Sequence, residues 1–168
     1  NWAREMTPTA VNQLWVADIT YIRLRREFLY LAVLLDAFSR RVVGWALGQT
    51  LQAELTLSAL RMALHQRHPA PGLVHHSDRG VQYADHDYTG LLRQHGILIS
   101  MSRRGNCYDN ATMESFWSTL KTETGLDAAV PISRRAVELI VFDYIETFYN
   151  PTRRHSSLGY LSPAAFES

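Results

Sequence analysis

The sequence predicts an α/β domain built on a mixed five-stranded sheet flanked by helices. Two observations predict it. Three apolar runs joined by short charged turns fill the first fifty residues, and two further apolar runs then alternate with segments of helical apolar spacing. Tight turns suit an antiparallel meander, whereas helical crossovers are what parallel strands require.

Residues 14–22 alternate Trp15, Ala17, Ile19 and Tyr21 against Val16, Asp18, Thr20 and Ile22, the two-residue period of a strand. A charged turn at 23–27 leads to residues 28–35, whose nearly continuous apolar run suits a strand buried on both faces. Another turn, begun by Asp36, precedes a third strand at 42–49. From 51 to 68 the apolar residues Leu55, Ala59, Met62 and Ala63 recur at helical spacing, and Pro69, Pro71 and Gly72 end the helix. A short strand follows at 73–76, then a helix at 85–95 with Gly96 as its C-terminal cap, and a last strand at 97–101. Beyond a polar loop at 102–110, helices are expected at 111–122 and 137–149, with 125–133 the only linker-like stretch. This order fits the ribonuclease-H-like fold.

The 168 residues, 46% apolar and without internal repeats, are expected to form one domain over 1–168, with 149–168 as a C-terminal tail. No apolar run reaches the roughly 18 residues of a membrane span, so no membrane partner is expected. The N-terminus lacks the basic-then-apolar layout of a secretory signal. Cys107 is the sole cysteine and has no internal disulfide partner, which suits a reducing, cytoplasmic setting. A net charge of +1 permits nucleic-acid binding without requiring it. Sixteen of the seventeen basic residues are Arg, many of them in pairs, and the guanidinium fork suits phosphate. The same pairs would equally serve to solvate turns.

Three carboxylates stand out. Asp18 interrupts an otherwise apolar strand, and a buried carboxylate needs a cation, hydrogen bonds or a raised pKa. The plainer alternative is an Asp turned outward onto a neighbouring turn. Asp78 follows directly on the strand at 73–76, at the kind of strand end where sites form, with Gly80 allowing close approach; it would also serve simply to cap its own turn. Glu114 lies in the first turns of a helix, where the dipole favours a carboxylate, whether or not it has a further role. Met113, Phe116, Trp117 and Leu120 form that helix's packing stripe, with Glu114, Ser118 and Lys121 on an adjacent face. His75 and His76 have no second ligand pair to suggest zinc, and a turn-initiating role accounts for Asp36.

In combination these segments resemble a known family. Trp15-Val16-Ala17-Asp18-Ile19-Thr20-Tyr21 resembles the first-Asp strand of the integrase-like insertion-sequence transposases, and His76-Ser77-Asp78-Arg79-Gly80 resembles their second-Asp motif. The run from Gly105 and Asn106 through Asn110 and Ala111 into Glu114, Phe116 and Trp117 is similar to their Glu helix. Thirty-five residues separate Asp78 from Glu114, the spacing of the family's D,D(35)E pattern. The tail containing Tyr149, Asn150, Arg153, His155, Leu158, Gly159 and Pro163 matches its C-terminal signature.

The resemblance implies a transposase core that cleaves DNA and joins a 3′-hydroxyl to a target. It implies two Mg²⁺ ions, with Mn²⁺ as substitute, held by Asp18 bridging both and by Asp78 and Glu114 on one each. DNA contacts are expected from Arg79, Arg104, Asn110, Lys121, Arg153 and His155. The last two sit in a basic-aromatic tail suited to a DNA backbone, or alternatively to packing against the domain. The resemblance further implies a homodimer or higher oligomer on DNA ends and target, in a bacterial, nucleoid-associated setting. The helix-turn-helix region that usually precedes such a core is expected to be absent. A nuclease of the same fold and an inert DNA-binding module are the competing readings.

Overall fold

The computed structural model describes residues 6–102, 111–130 and 133–168. Strands β1 (Leu14–Arg23), β2 (Phe28–Asp36) and β3 (Val42–Gly48) form the expected antiparallel meander. They are followed by α1 (Ala53–Arg67), β4 (Val74–Ser77), α2 (Val81–Ala84), α3 (His86–Gln94), β5 (Leu98–Met101), α4 (Ala111–Thr124), α5 (Arg134–Phe142) and α6 (Pro163–Glu167). The strand order is β3-β2-β1-β4-β5, with β4 parallel to both β1 and β5. The sheet is therefore mixed and five-stranded, as the element order predicts, and β1 lies at its centre. No described helix is long and apolar enough to cross a membrane.

Each face of the sheet carries its own core. On one, Val16, Leu29, Leu31, Val33 and Leu35 pack with Met113, Phe116, Trp117 and Leu120 of α4 and with Val137 and Val141 of α5. On the other, Trp15, Ala17, Ala32 and Leu34 meet α1 and α3 through Leu60, Ala63, Tyr88 and Leu92. Both sets of β2 side chains are buried, which explains why its sequence is apolar without alternation. Burying each such Leu or Val contributes roughly 1.5–3 kcal/mol.

Helix α1 lies close on β3 because Gly44 has no side chain. A Cβ there would overlap the Ala59 carbonyl oxygen and stand 2.9 Å from the Ala63 Cβ. Gly90, inside α3, has nothing within 4 Å of the equivalent position. Gly44→Ala is therefore expected to lower stability by about 1–3 kcal/mol, and Gly90→Ala to be neutral or stabilising, since Ala is the better helix former. Urea midpoints check both; an unchanged midpoint for Gly44→Ala would rule out the close approach.

The cap expected at Gly96 is present. Gly96 has φ +69, its N–H reaches the Arg93 carbonyl and the Ile97 N–H reaches the Leu92 carbonyl, the bond pair of a Schellman motif. Two elements differ from expectation. The single turn α2 has too few residues to show a period. Helix α5 begins at Arg134, because the Ser133 hydroxyl accepts from the Ala136 N–H, and it passes into a π-helix over Asp143–Tyr149. Tyr144, Ile145 and Tyr149 of that wider coil all enter the core.

The C-terminal tail is tied into the domain. The Asn150 side chain accepts from the Val42 N–H at 2.9 Å and donates to the Val42 carbonyl at 3.0 Å, so it reads the start of β3 as a neighbouring strand would. Ser162 caps α6, whose Glu167 accepts from Ser39, Arg41 and Arg67. Arg67 also pairs with the fully buried Asp36 at 3.3 Å. Asp36 has the turn role expected of it, accepting from the N–H groups of Phe38 and Ser39, and from that of Asn12 as well. His75 and His76 lie inside the domain: His75 Nε2 is 2.6 Å from the Tyr88 hydroxyl and His76 Nδ1 is 2.9 Å from that of Ser100. Burial holds the His75 imidazole at a pKa of about 4, so it is neutral at physiological pH.

Candidate active site

Parallel pairing of β1 with β4 brings two of the three carboxylates together. The register sets Leu14 beside Val74 and Val16 beside His76. Two residues beyond the end of this pairing, Asp18 and Asp78 line the same cleft. Because β4 ends at Ser77, the rest of β1 borders an open cleft at the carboxyl end of its neighbour. The cleft encloses about 210 Å³ and is lined by Asp18, Thr20, Tyr21, Tyr30, Asp78 and Gln82, among others.

Asp18 is partly buried, and its Oδ2 accepts from the Trp117 indole N–H at 2.9 Å. Burial is the largest influence on its carboxyl and raises the pKa. The Trp117 bond lowers it, and the like charges of Asp78 and Glu114 raise it again. Asp78 is exposed, and its Oδ1 accepts from the Gly80 N–H at 2.7 Å. The turn role weighed from the sequence is thus real, and it fixes the carboxylate beside the cleft. A Cβ at Gly80 would stand 2.8 Å from that oxygen, so glycine here supplies space.

Glu114 is exposed in the first turn of α4, which is anchored by the buried Met113, Phe116, Trp117 and Leu120. Among the described residues, none of the three carboxylates is in an ion pair. Nor do any three metal-ligating side chains among them already stand close enough to share an ion. Asp18 and Asp78 share the cleft, while Glu114 acts on Asp18 through its charge without lining that cleft. Mutual repulsion of three anions opposes a tighter cluster. The three donors are hard carboxylate oxygens, which fits Mg²⁺ or Mn²⁺ rather than a soft metal.

Trp117 has a part that its place in the packing stripe concealed. It stands three residues beyond Glu114, so its indole is on the same side of α4 and reaches Asp18. That spacing was the available signal. Lys121, one turn further, holds its ammonium 5.4 Å from the centre of the Tyr21 ring at the rim of the cleft, and partial burial lowers its pKa. Arg79 is exposed next to Asp78. Arg104 and Asn110 lie outside the described residues, as does most of the polar loop at 102–110.

Arg153 and His155 both have partners within the domain, as the packing alternative has it. Arg153 forms a forked pair with Glu123 of α4, at 2.8 Å from Nε and 2.7 Å from Nη2, and the Tyr144 hydroxyl donates to the same carboxylate. The guanidinium thus ties the tail to α4. His155 packs edge-on against Tyr149, and burial followed by the charges of Arg153 and Arg40 depresses its pKa to about 4. It is therefore neutral at physiological pH.

Residues 8–107 match the family model described as an integrase core domain, and residues 95–163 match a second model of that description. The chain belongs to the integrase core family. This integrase core is 50% identical over 159 residues to the insertion element IS600 uncharacterized 31 kDa protein of Shigella sonnei, covering 95% of the chain and 58% of that protein. It is 48% identical over 159 residues to the transposase for insertion sequence element IS904 of Lactococcus lactis, covering 95% of the chain and 62% of that protein. The chain therefore spans about three-fifths of the length of these relatives. In fold it is similar to the HTLV-2 integrase catalytic core domain in complex with magnesium, with a TM-score of 0.71 at 15% identity, covering 96% of this chain and 100% of that one. The ribonuclease-H-like fold that the element order fits is the fold of that integrase core.

Proposed function

We propose that the chain is the catalytic core of a DNA transposase, cutting a DNA strand and joining its 3′-hydroxyl to a target strand. The observation that carries this reading is Asp18: a partly buried carboxylate beside Asp78 in an open cleft, with a raised pKa and no positive partner among the described residues. An integrase core whose relatives include a protein named a transposase is the setting that gives such a pair its meaning.

Asp18, Asp78 and Glu114 would hold two Mg²⁺ ions, or Mn²⁺ in their place. When bound, the ions supply activation of the attacking oxygen and stabilisation of the leaving oxygen in an in-line displacement at phosphorus. The chain's own residues fix the ligands. Trp117 orients Asp18, the Gly80 N–H orients Asp78, and the buried stripe of α4 sets the position of Glu114. Lys121 and Arg79, together with Arg104 and Asn110, are the phosphate contacts of this reading. Water as nucleophile leaves a 3′-hydroxyl, and that hydroxyl as the next nucleophile joins the strand to its target, so no covalent protein–DNA intermediate is involved. Element ends and target DNA are the partners, held by a dimer or larger assembly in the bacterial cytoplasm.

The test is joining of a labelled duplex with a free 3′-hydroxyl to a plasmid, in Mg²⁺ or Mn²⁺, with wild type against Glu114→Gln. Joined product from the wild type, reduced at least about a hundredfold in the variant, supports the reading. Metal-dependent cleavage without joining would replace it with a nuclease of the same fold.

A further inference from the structure

The rim of the cleft carries a surface that metal-ligand chemistry does not use. Tyr21 lies three residues beyond Asp18 and lines the same cleft, yet it is 60% exposed. The neighbouring Phe28 is 46% exposed, and the two rings meet edge to face at 5.5 Å between centres. Tyr30, opposite Tyr21 in the β1–β2 register, lines the cleft as well. β4 pairs only with residues 14–16 of β1, so the far half of the strand has no neighbour on that side among the described residues. Lys121 approaches the Tyr21 ring from α4, and Arg23, Arg25 and Arg26 are exposed around the turn between β1 and β2.

Exposed aromatic rings on a hairpin are costly to leave in water without a partner. Here they stand between a carboxylate cleft and a group of cations. A ring beside cations matches one ligand above others: an unstacked nucleobase, whose flat face lies on the ring while its phosphates meet the positive charges. An acidic peptide would satisfy the arginines but leave the rings unused.

We infer that Tyr21, with Phe28 behind it and Lys121 above it, is a stacking platform for an unpaired DNA base next to the strand end being processed. This inference rests on the transposase reading and deepens it: the site would favour DNA ends that are frayed or already single-stranded over fully paired ones. Tyr21 is a positioning residue, since it touches a base and not the reacting phosphate.

The test measures binding, separately from chemistry. Fluorescence of 2-aminopurine at the first unpaired position of a short 3′-tailed oligonucleotide is titrated with the 168-residue protein, alongside a blunt duplex of the same sequence. Wild type is expected to quench the probe and to bind the tailed DNA more tightly than the blunt. Tyr21→Ala should weaken binding of the tailed DNA by about tenfold, leave the blunt duplex unchanged and abolish the quench. Tyr21→Phe should retain both. The exposure of Tyr21 makes loss of folding in these variants checkable by an unchanged urea midpoint. Equal wild-type affinity for the two DNAs, absence of quenching, or tailed-DNA binding by Tyr21→Ala as tight as wild type would each overturn the platform. Failure of the joining assay with the Tyr21 dependence intact would instead overturn the transposase reading alone.

Discussion

Asp18→Asn is expected to abolish strand cleavage and joining while leaving the fold intact. The amide keeps an oxygen to accept from Trp117 at the position where Asp18 Oδ2 now stands, 2.9 Å from the indole nitrogen. It removes the negative charge that a hard divalent ion requires of its ligand. A loss of about a thousandfold or more in the joining rate is expected, because ligands acting as one unit fail together. Stability moves the other way. Burial and the like charges of Asp78 and Glu114 raise the folded-state pKa of Asp18. A raised acid contributes stability that is full below its unfolded pKa and lost as pH rises through its folded pKa. At neutral pH the charged group is therefore a cost, and in metal-free buffer the Asn variant should equal or exceed wild type in urea midpoint, with a margin that disappears in acid. Joining by Asp18→Asn within tenfold of wild type would remove Asp18 from the site.

Asp36→Ala is expected to do the reverse, lowering stability without touching a reacting group. Its side chain is fully buried, accepts from the backbone of Asn12, Phe38 and Ser39, and pairs with Arg67 at the end of α1. Removing it strands those N–H groups and leaves Arg67 with Glu167 as its remaining acidic partner. Each N–H left unsatisfied costs about 1–3 kcal/mol, and together they are a large share of a typical domain's 5–15 kcal/mol of stability. A fall of roughly 10 °C in Tm follows for a chain of this size. A Tm within two degrees of wild type would mean that these contacts do not hold the turn together.

The two aspartates show how far the sequence could be read. Both stand in or beside apolar strands, and the turn chemistry around Ser39 and Arg40 was enough to assign Asp36 to a turn. That Arg67 and Glu167 would close over it was not legible, because the pair brings residues from α1 and α6 to the end of β2. Asp78 was legible as a residue at a strand end, and as a turn cap; the structure has it in both positions at once. The basic-aromatic cluster around Arg153 and His155 fits either a DNA backbone or packing against the domain. The partner that holds Arg153 is Glu123, thirty residues earlier, and no local pattern marks it. Trp117 looked like core, and it is core, but its N–H also reaches across to β1.

By itself the sequence determined what depends on the chain's own local geometry. Side chains alternate along a strand and recur every three to four residues along a helix, so element order, the doubly buried β2 and the two faces of α4 are all written in the spacing of apolar residues. Tertiary structure alone decided which polar groups meet. Asp18 finds Asp78 because β1 pairs in parallel with β4, and Arg153 finds Glu123 because the tail folds back on α4. Such pairings depend on which buried faces are satisfied together, a property of the packed sheet and helices as a whole, and the identity of each partner enters only when the layers close.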